Sequence, residues 1–273
     1  MPEKIITLYA FFDDLLKAIH YKDDPQSQLT TAEIMTVAAV ACEFFTGNYQ
    51  KSLDFLVSHR YLKPFSKSRF NRRLHQIPET LWQFVLYVLS QLTKQTKTFL
   101  VDTFPVPVCR NIRIQRCKIY RDDDRERTAF RGYCASKKEY YYGLKVCLIV
   151  TEGGQPVEAL FVPASTADID ALRNMYLNLP EGSVLIGDPG FLDRLFESDL
   201  KQEAGLHLLV ARRKNMKEQL DILVADVIKS LRGQVETTFS QLTERLARSI
   251  HAVTAKGFEL KVFLTILTFR IVG

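Results

Sequence analysis

No apolar run in this 273-residue sequence is long enough to cross a bilayer. The longest, Ile34 to Cys42 and Val262 to Leu267, fall well short of the roughly 20 residues a membrane helix needs, so no membrane partner is expected. Cysteine is scarce too. Its five copies (Cys42, Cys109, Cys117, Cys134 and Cys147) are odd in number and form no CxxC pair. That favours reduced thiols in the cytoplasm over a disulfide framework and argues against a zinc site. No secretory leader is expected either, because Phe11 and Phe12 are followed at once by Asp13 and Asp14. No low-complexity tract points to disorder. The histidines (His20, His59, His75, His207 and His251) lack metal-ligand spacing, and none is assigned a catalytic role.

What is present is an ordinary soluble composition, 47% hydrophobic and 25% charged, enough to bury a real core. The formal net charge of +6 is modest, but it is concentrated. Between Cys109 and Lys145 eleven Lys/Arg stand against five acids, a surplus equal to that of the whole chain. Such a basic stretch leans toward a polyanionic partner.

Residues 1–95 read as helices. Thr30 and Thr31 precede an Ala/Ile/Met/Val-rich run, a capping arrangement that opens a buried helix. A further helix is expected from Tyr49 to about His59, broken by Pro64. Ser66 or Ser68 then caps a short basic helix bearing Arg69, Arg72 and Arg73, and an apolar-striped helix covers Leu81 to Leu92. Small helices with a basic one near the end resemble helix-turn-helix packing, which enters the major groove of DNA. A plain helical bundle with a solvated basic face fits the same pattern.

From residue 96 the pattern turns mixed. A short strand is expected over Thr98 to Thr103, then a basic insertion loop at 104–139 opened by Pro105 and Pro107. Strands over Tyr140 to Val150 and Pro156 to Val162 are joined by a Thr-Glu-Gly-Gly-Gln turn. A helix from Asp168 to about Asn178, a strand from Ser183 to Asp188, a helix from about Leu192 to Ala204 and a strand from Leu206 to Ala211 follow. The remainder is helical, with Val224, Ile228, Leu231, Val235, Phe239, Leu242 and Leu246 at three- and four-residue spacing. The expected fold is α/β, a mixed sheet with flanking helices over 96–273 behind a small all-helical domain. Its order matches a ribonuclease-H-like sheet, although other mixed sheets share it.

Three carboxylates stand out. Asp102 lies inside the first strand among Leu100, Val101 and Phe104, an expensive place for a charge. Asp188 ends a strand just before Pro189 and Gly190, and strand C-termini in open α/β sheets face the ligand crevice. These two strands are expected to be neighbours. Glu236 flanks the apolar stripe of the last helix, with Arg232 and Ser240 one turn to either side. Convergent carboxylates repel one another unless cations neutralise them. Mg²⁺ suits such ligands, and two ions about 3.5–4 Å apart serve an in-line phosphoryl displacement. Taken singly, a strand-end Asp before Pro-Gly also reads as a turn residue, and a helix-flank Glu as a salt-bridge partner.

The motifs around these acids resemble the insertion-sequence-982 family of bacterial DDE transposases over nearly the whole chain. They are Val101-Asp102-Thr103-Phe104-Pro105-Val106-Pro107-Val108-Cys109, Asn111-Ile112-Arg113-Ile114, Phe130-Arg131-Gly132-Tyr133-Cys134-Ala135-Ser136-Lys137-Lys138, Leu185-Ile186-Gly187-Asp188, Ala211-Arg212-Arg213-Lys214-Asn215-Met216 and Val235-Glu236-Thr237-Thr238-Phe239-Ser240-Gln241-Leu242, with His251-Ala252 and Gly257-Phe258 closing the match. The resemblance implies a ribonuclease-H-like DDE catalytic domain whose Asp102, Asp188 and Glu236 hold two Mg²⁺ (or Mn²⁺) ions. Arg232, four before the glutamate, matches the arginine-glutamate signature of related transposases, while Thr243 replaces the lysine or arginine sometimes found seven after it. Other departures are Pro189-Gly190-Phe191 where Lys-Gly-Tyr is common, Cys147 where His is usual, and an end at Gly273 within an apolar stretch that the resemblance would extend.

The implied activity is cleavage of insertion-element ends and strand transfer into target DNA. Its partner is double-stranded DNA, both terminal inverted repeats and target, in a homodimer or larger assembly associated with the bacterial nucleoid. DNA contacts are expected from Arg69, Arg72 and Arg73, from Arg110, Arg113, Arg116, Lys118, Arg131, Lys137 and Lys138, from Arg212, Arg213 and Lys214, and from Arg232. Tyr120, Phe130, Tyr133 and Tyr140 to Tyr142 are placed either to stack on unpaired bases or to pack on the sheet. Two rival functions share the fold: a transposase-derived DNA-binding protein without catalysis, and a metal-dependent nuclease that only hydrolyses.

Overall fold

A computed structural model describes residues 1–93, 95–120, 128–134, 138–210, 222–246, 250 and 252–273. The chain forms two compact units. The first contains Met1–Leu89, Leu242–Ala252 and Lys256–Gly273; the second contains Ser90–Gln241 and Val253–Ala255.

The first unit is helical: α1 (Pro2–Ala18), α2 (Thr31–Phe44), α3 (Tyr49–Ser58), α4 (Lys67–Gln76) and α5 (Glu79–Gln91). Thr30 starts α2 with a capping box. Its hydroxyl accepts from Glu33 N at 3.2 Å, and Glu33 Oε2 accepts from Thr30 N at 2.6 Å. Nearly all of α2 is buried, from Ile34 through Cys42, which makes it the central helix of this unit. Asn48 caps α3 and Ser66 caps α4. Only Phe70 and Leu74, one turn apart, anchor α4 in the core; Arg69 and Arg72 stay on its outer side.

The terminal helix corrects an expectation. The sequence groups all of 96–273 together, whereas Leu264 and Leu267 of the last helix (Ala255–Val272) are buried in the core of the helical unit with Met35, Val37 and Trp82. That helix is apolar on most of its surface, with Phe258, Val262 and Phe269 also buried.

The second unit is built on a six-stranded sheet of β1 (Thr98–Arg110), β2 (Arg131–Cys134), β3 (Glu139–Thr151), β4 (Pro156–Pro163), β5 (Val184–Gly187) and β6 (His207–Val210). Its order is β2-β3-β1-β5-β6, with β4 also pairing β3. β1 is central, antiparallel to β3 and parallel to β5, and β5 is parallel to β6. Helix α6 (Asp168–Arg173) lies between β4 and β5 in the chain, α7 (Arg194–Glu203) between β5 and β6, and α8 (Ile222–Arg245) follows β6.

Three element expectations change. β1 does not stop at Thr103 but runs to Arg110 through both prolines, in register with Lys145 and Gly143 of β3. β5 pairs only with Thr98–Leu100, so the prolines' nitrogens, which have no hydrogen to donate, face an edge that has no partner strand among the described residues. The basic insertion also contains β2, paired to the start of β3. Finally, α6 ends at Arg173 rather than near Asn178, because the Asn174 amide turns back onto Asp170 O at 2.7 Å.

Side-chain alternation along β1 sorts the two faces. Phe99 and Val101 join Cys147, Ile149 and Leu185 under Ala171 and Leu172 of α6 and Leu200 of α7. The residues between them face α8, and the Phe104 and Phe239 rings meet at 5.3 Å. At the β3–β4 hairpin, Gly154 takes a φ of +78° and its carbonyl accepts from Thr238 Oγ1 of α8 at 3.3 Å.

Candidate active site

Alternation places Asp102 on the α8 face, and the parallel pairing Leu100↔Ile186 carries Asp188 to the same end of the sheet. On α8, buried Val235 packs inward while Glu236 beside it is exposed and Arg232, one turn earlier, is half-buried. Asp102, Asp188, Glu236 and Arg232 line one pocket floored by Leu100, Val101, Ile186 and Gly187. The residues expected to converge from three distant parts of the chain therefore share a common cleft.

Two of the acids are oriented by the backbone. Thr103 N donates to Asp102 Oδ1 at 2.7 Å, and Gly190 N donates to Asp188 Oδ1 at 2.7 Å. Pro189 opens a short 3-10 turn, Pro189–Phe191, for which Asp188 is the cap. A proline suits that position because its fixed φ starts the turn and no donor is lost. The departure from Lys at position 189 thus has a structural use, in bringing Gly190 N onto Asp188.

Electrostatically the cleft is strained. Burial pushes the Asp102 carboxyl up to about 6. The Thr103 hydrogen bond opposes this, Asp188 and Asp168 add to it by repulsion, and Arg232 partly relieves it. A hard divalent cation bound by oxygen would lower the energy of such a cleft, and the donors are all carboxylates, with no sulfur or imidazole among the pocket-lining residues. Among the described residues no three His, Cys, Asp or Glu side chains stand close enough together to hold a metal ion as they are placed.

Sequence reasoning missed Asp168, which it treated only as a helix start. Asp168 accepts from Thr103 Oγ1 and from Lys145 Nζ, both at 2.9 Å. Nothing in a single sequence marks it, because an aspartate in the first turn of a helix is explained by the helix dipole alone.

The expected DNA contacts fall into three groups. On α4, Arg69 and Arg72 are exposed, Arg69 reaching Gln28 at 3.2 Å, while Arg73 is tied inward to Ser27 and to Asp23 at 3.3 Å. In the insertion, Arg113, Arg116, Lys118, Arg131 and Lys138 are exposed, and Arg110 closes β1. Lys137, Arg212, Arg213 and Lys214 lie outside the described residues, as does His251.

The aromatics divide similarly. Tyr120 stacks on Phe130 at 4.0 Å, and the buried Tyr142 donates its hydroxyl to Tyr120 O at 2.7 Å. These pack on the sheet, while Tyr133 and Tyr140 are 53% and 66% exposed.

Among the described residues no helix is long and apolar enough to cross a membrane. The family described as Transposase DDE domain matches residues 92–252. No curated protein matches the chain.

Proposed function

This chain belongs to the transposase DDE-domain family, and from that premise we propose that it is a DNA transposase of the insertion-sequence-982 kind, cutting element ends and joining them to target DNA. The observation that carries the proposal is the shared cleft of Asp102, Asp188 and Glu236, supplied by a central strand, its parallel neighbour and the following helix. The strand order, with β1 central between antiparallel β3 and parallel β5, supports a ribonuclease-H-like sheet.

The three carboxylates would hold two Mg²⁺ or Mn²⁺ ions. Bound there, the metal supplies Lewis-acid stabilisation to the attacking and leaving oxygens of an in-line displacement. The chain's own residues do the rest. Thr103 N and Gly190 N keep one oxygen of each aspartate turned to a fixed donor. Arg232 adds a fixed positive charge at the cleft wall, suited to a scissile phosphate. No protein nucleophile is required, since water attacks first and the freed 3′ hydroxyl attacks second.

The helical unit, with Arg69 and Arg72 exposed on α4, acts as the helix-turn-helix-like reader of element ends. The exposed arginines and lysines of the insertion bind phosphate. Two ends must be brought together, so the working form on DNA is a homodimer or larger, acting in the cytoplasm at the nucleoid.

The test is incubation of the purified chain with labelled element ends and Mg²⁺ or Mn²⁺. Joined products are expected. Nicks without joining would make it a hydrolysis-only nuclease, and binding without cleavage a catalytically silent DNA-binding protein. Asp102→Ala, Asp188→Ala and Glu236→Ala should each abolish metal-dependent cleavage while leaving DNA binding in place. Retained cleavage in all three would overturn the assignment.

A further inference from the structure

Asp168, the acid outside the trio, touches the segments that carry two of its members. We propose that Asp168 is a positioning residue of the site, pinned by Lys145 and Thr103 so that it braces the backbone N–H groups orienting Asp102 and Asp188. The inference rests on the reading of the trio as metal-binding carboxylates.

Lys145 Nζ donates to Asp168 Oδ1 at 2.9 Å and to Thr166 O at 2.7 Å, so the lysine ties the start of α6 to β3. Thr103 Oγ1 donates to the same Oδ1 at 2.9 Å. The adjoining backbone N–H of Thr103 is the donor that holds Asp102. On its other side, Asp168 faces Gly190. A methyl carbon there would stand 2.8 Å from Asp168 Oδ2 and 2.9 Å from Asp188 Oδ1, so a carboxylate would have to shift to admit it. Gly190 N is the donor that holds Asp188. One carboxylate therefore bonds the side chain of the residue that holds Asp102 and sits against the residue that holds Asp188.

Alternation shows why this is support and not ligation. Thr103 and Lys145 lie on the α6 face of the sheet, opposite to Asp102, and Asp168 is not among the pocket-lining residues. The Lys145 and Asp168 side chains keep only 19% and 27% of their surface exposed, so the pair is shielded from the screening that weakens surface ion pairs. Partners that orient metal-binding side chains from behind typically set metal affinity by a factor of about 10–100.

The experiment titrates Mn²⁺ alone into the intact chain, following free Mn²⁺ by electron paramagnetic resonance, with thermal unfolding measured on each variant. Thr103→Val removes the hydroxyl at constant charge and shape. It should weaken Mn²⁺ binding about tenfold, and Thr103→Ser should restore it. Lys145→Met separates the two accounts by sign. If Asp168 acted only through its charge, losing the nearby cation would tighten Mn²⁺ binding; with Asp168 as a brace, the binding weakens.

Unchanged affinity in Thr103→Val, or tighter binding in Lys145→Met, would overturn the inference. So would a loss of affinity that merely tracks a loss of folded structure and is not recovered by Thr103→Ser. A wild-type chain that binds no Mn²⁺ would sink the metal reading of the trio as well. A wild type that binds Mn²⁺ while Thr103→Val remains indifferent would sink only the role of Asp168.

Discussion

Glu158, in β4 opposite Ile149, offers the sharpest physical test of the sheet unit. Burial pushes its carboxyl from the ordinary 4.5 to about 7, opposed by the hydrogen bond from Asn178 N to Glu158 Oε1 at 2.8 Å. With the folded value above the unfolded one, the protonated side chain is the form the fold favours. The stability it provides is complete below about pH 4.5 and is lost as pH rises through about 7. The full difference corresponds to about 3 kcal/mol at high pH, and about half of that survives a discount for the surface Glu158 keeps in water. Glu158→Gln keeps the acceptor for Asn178 and removes the charge. Amide exchange over β3 and β4, read by mass spectrometry, should then slow about tenfold at pH 8.5 for the smaller figure and about a hundredfold for the larger. At pH 4.5 or below the two proteins should exchange alike. Equal protection at pH 8.5, or a gain confined to low pH, would refute the reasoning.

Three further outcomes are expected. Neutralising Arg113, Arg116 and Lys118, all exposed, should flatten the salt dependence of DNA binding by about 0.9 in log–log slope for each phosphate left without its cation, and an unchanged slope removes the insertion from the interface. Leu267→Ala should destabilise the helical unit by about 2–5 kcal/mol, read from the fluorescence of Trp82 in the same core; a change below about 0.5 kcal/mol would show that the last helix does not stabilise that core. Gly190→Ala should weaken Mn²⁺ binding at least as much as Thr103→Val, because the Asp168 carboxylate it meets is held by two donors and cannot swing away; wild-type affinity would show that the carboxylate yields freely.

Much of this arrangement could be read from residue patterns because it depends on short-range rules. The capping box at Thr30 and Glu33, the strand alternation around Asp102 and the buried spacing of Ile228, Val235, Phe239 and Leu242 on α8 are local, and all three are present. What escaped the sequence depends on partners. Pro105 and Pro107 read as a loop opening until one sees that β5 covers only Thr98–Leu100, which leaves their edge unpaired among the described residues. The last helix reads as an extension of the catalytic segment because its hydropathy says that it is buried without saying against what; its core partners, such as Met35 and Trp82, are more than a hundred residues away in the chain.

Asp102 and Asp168 illustrate the same limit within the site. Asp102 betrays itself by a local contradiction, a charge within an apolar strand. Asp168 contradicts nothing locally, and its meaning comes from Thr103 and Lys145, which arrive on β1 and β3 from far away in sequence. The two are joined by one step of the β1 backbone: residue 102 faces the cleft and residue 103 faces α6, so a single peptide unit transmits the brace to the carboxylate. A site built this way can be tuned from the far side of its own sheet. The substitutions that test it most cleanly are therefore those, like Thr103→Val, that leave the cleft untouched.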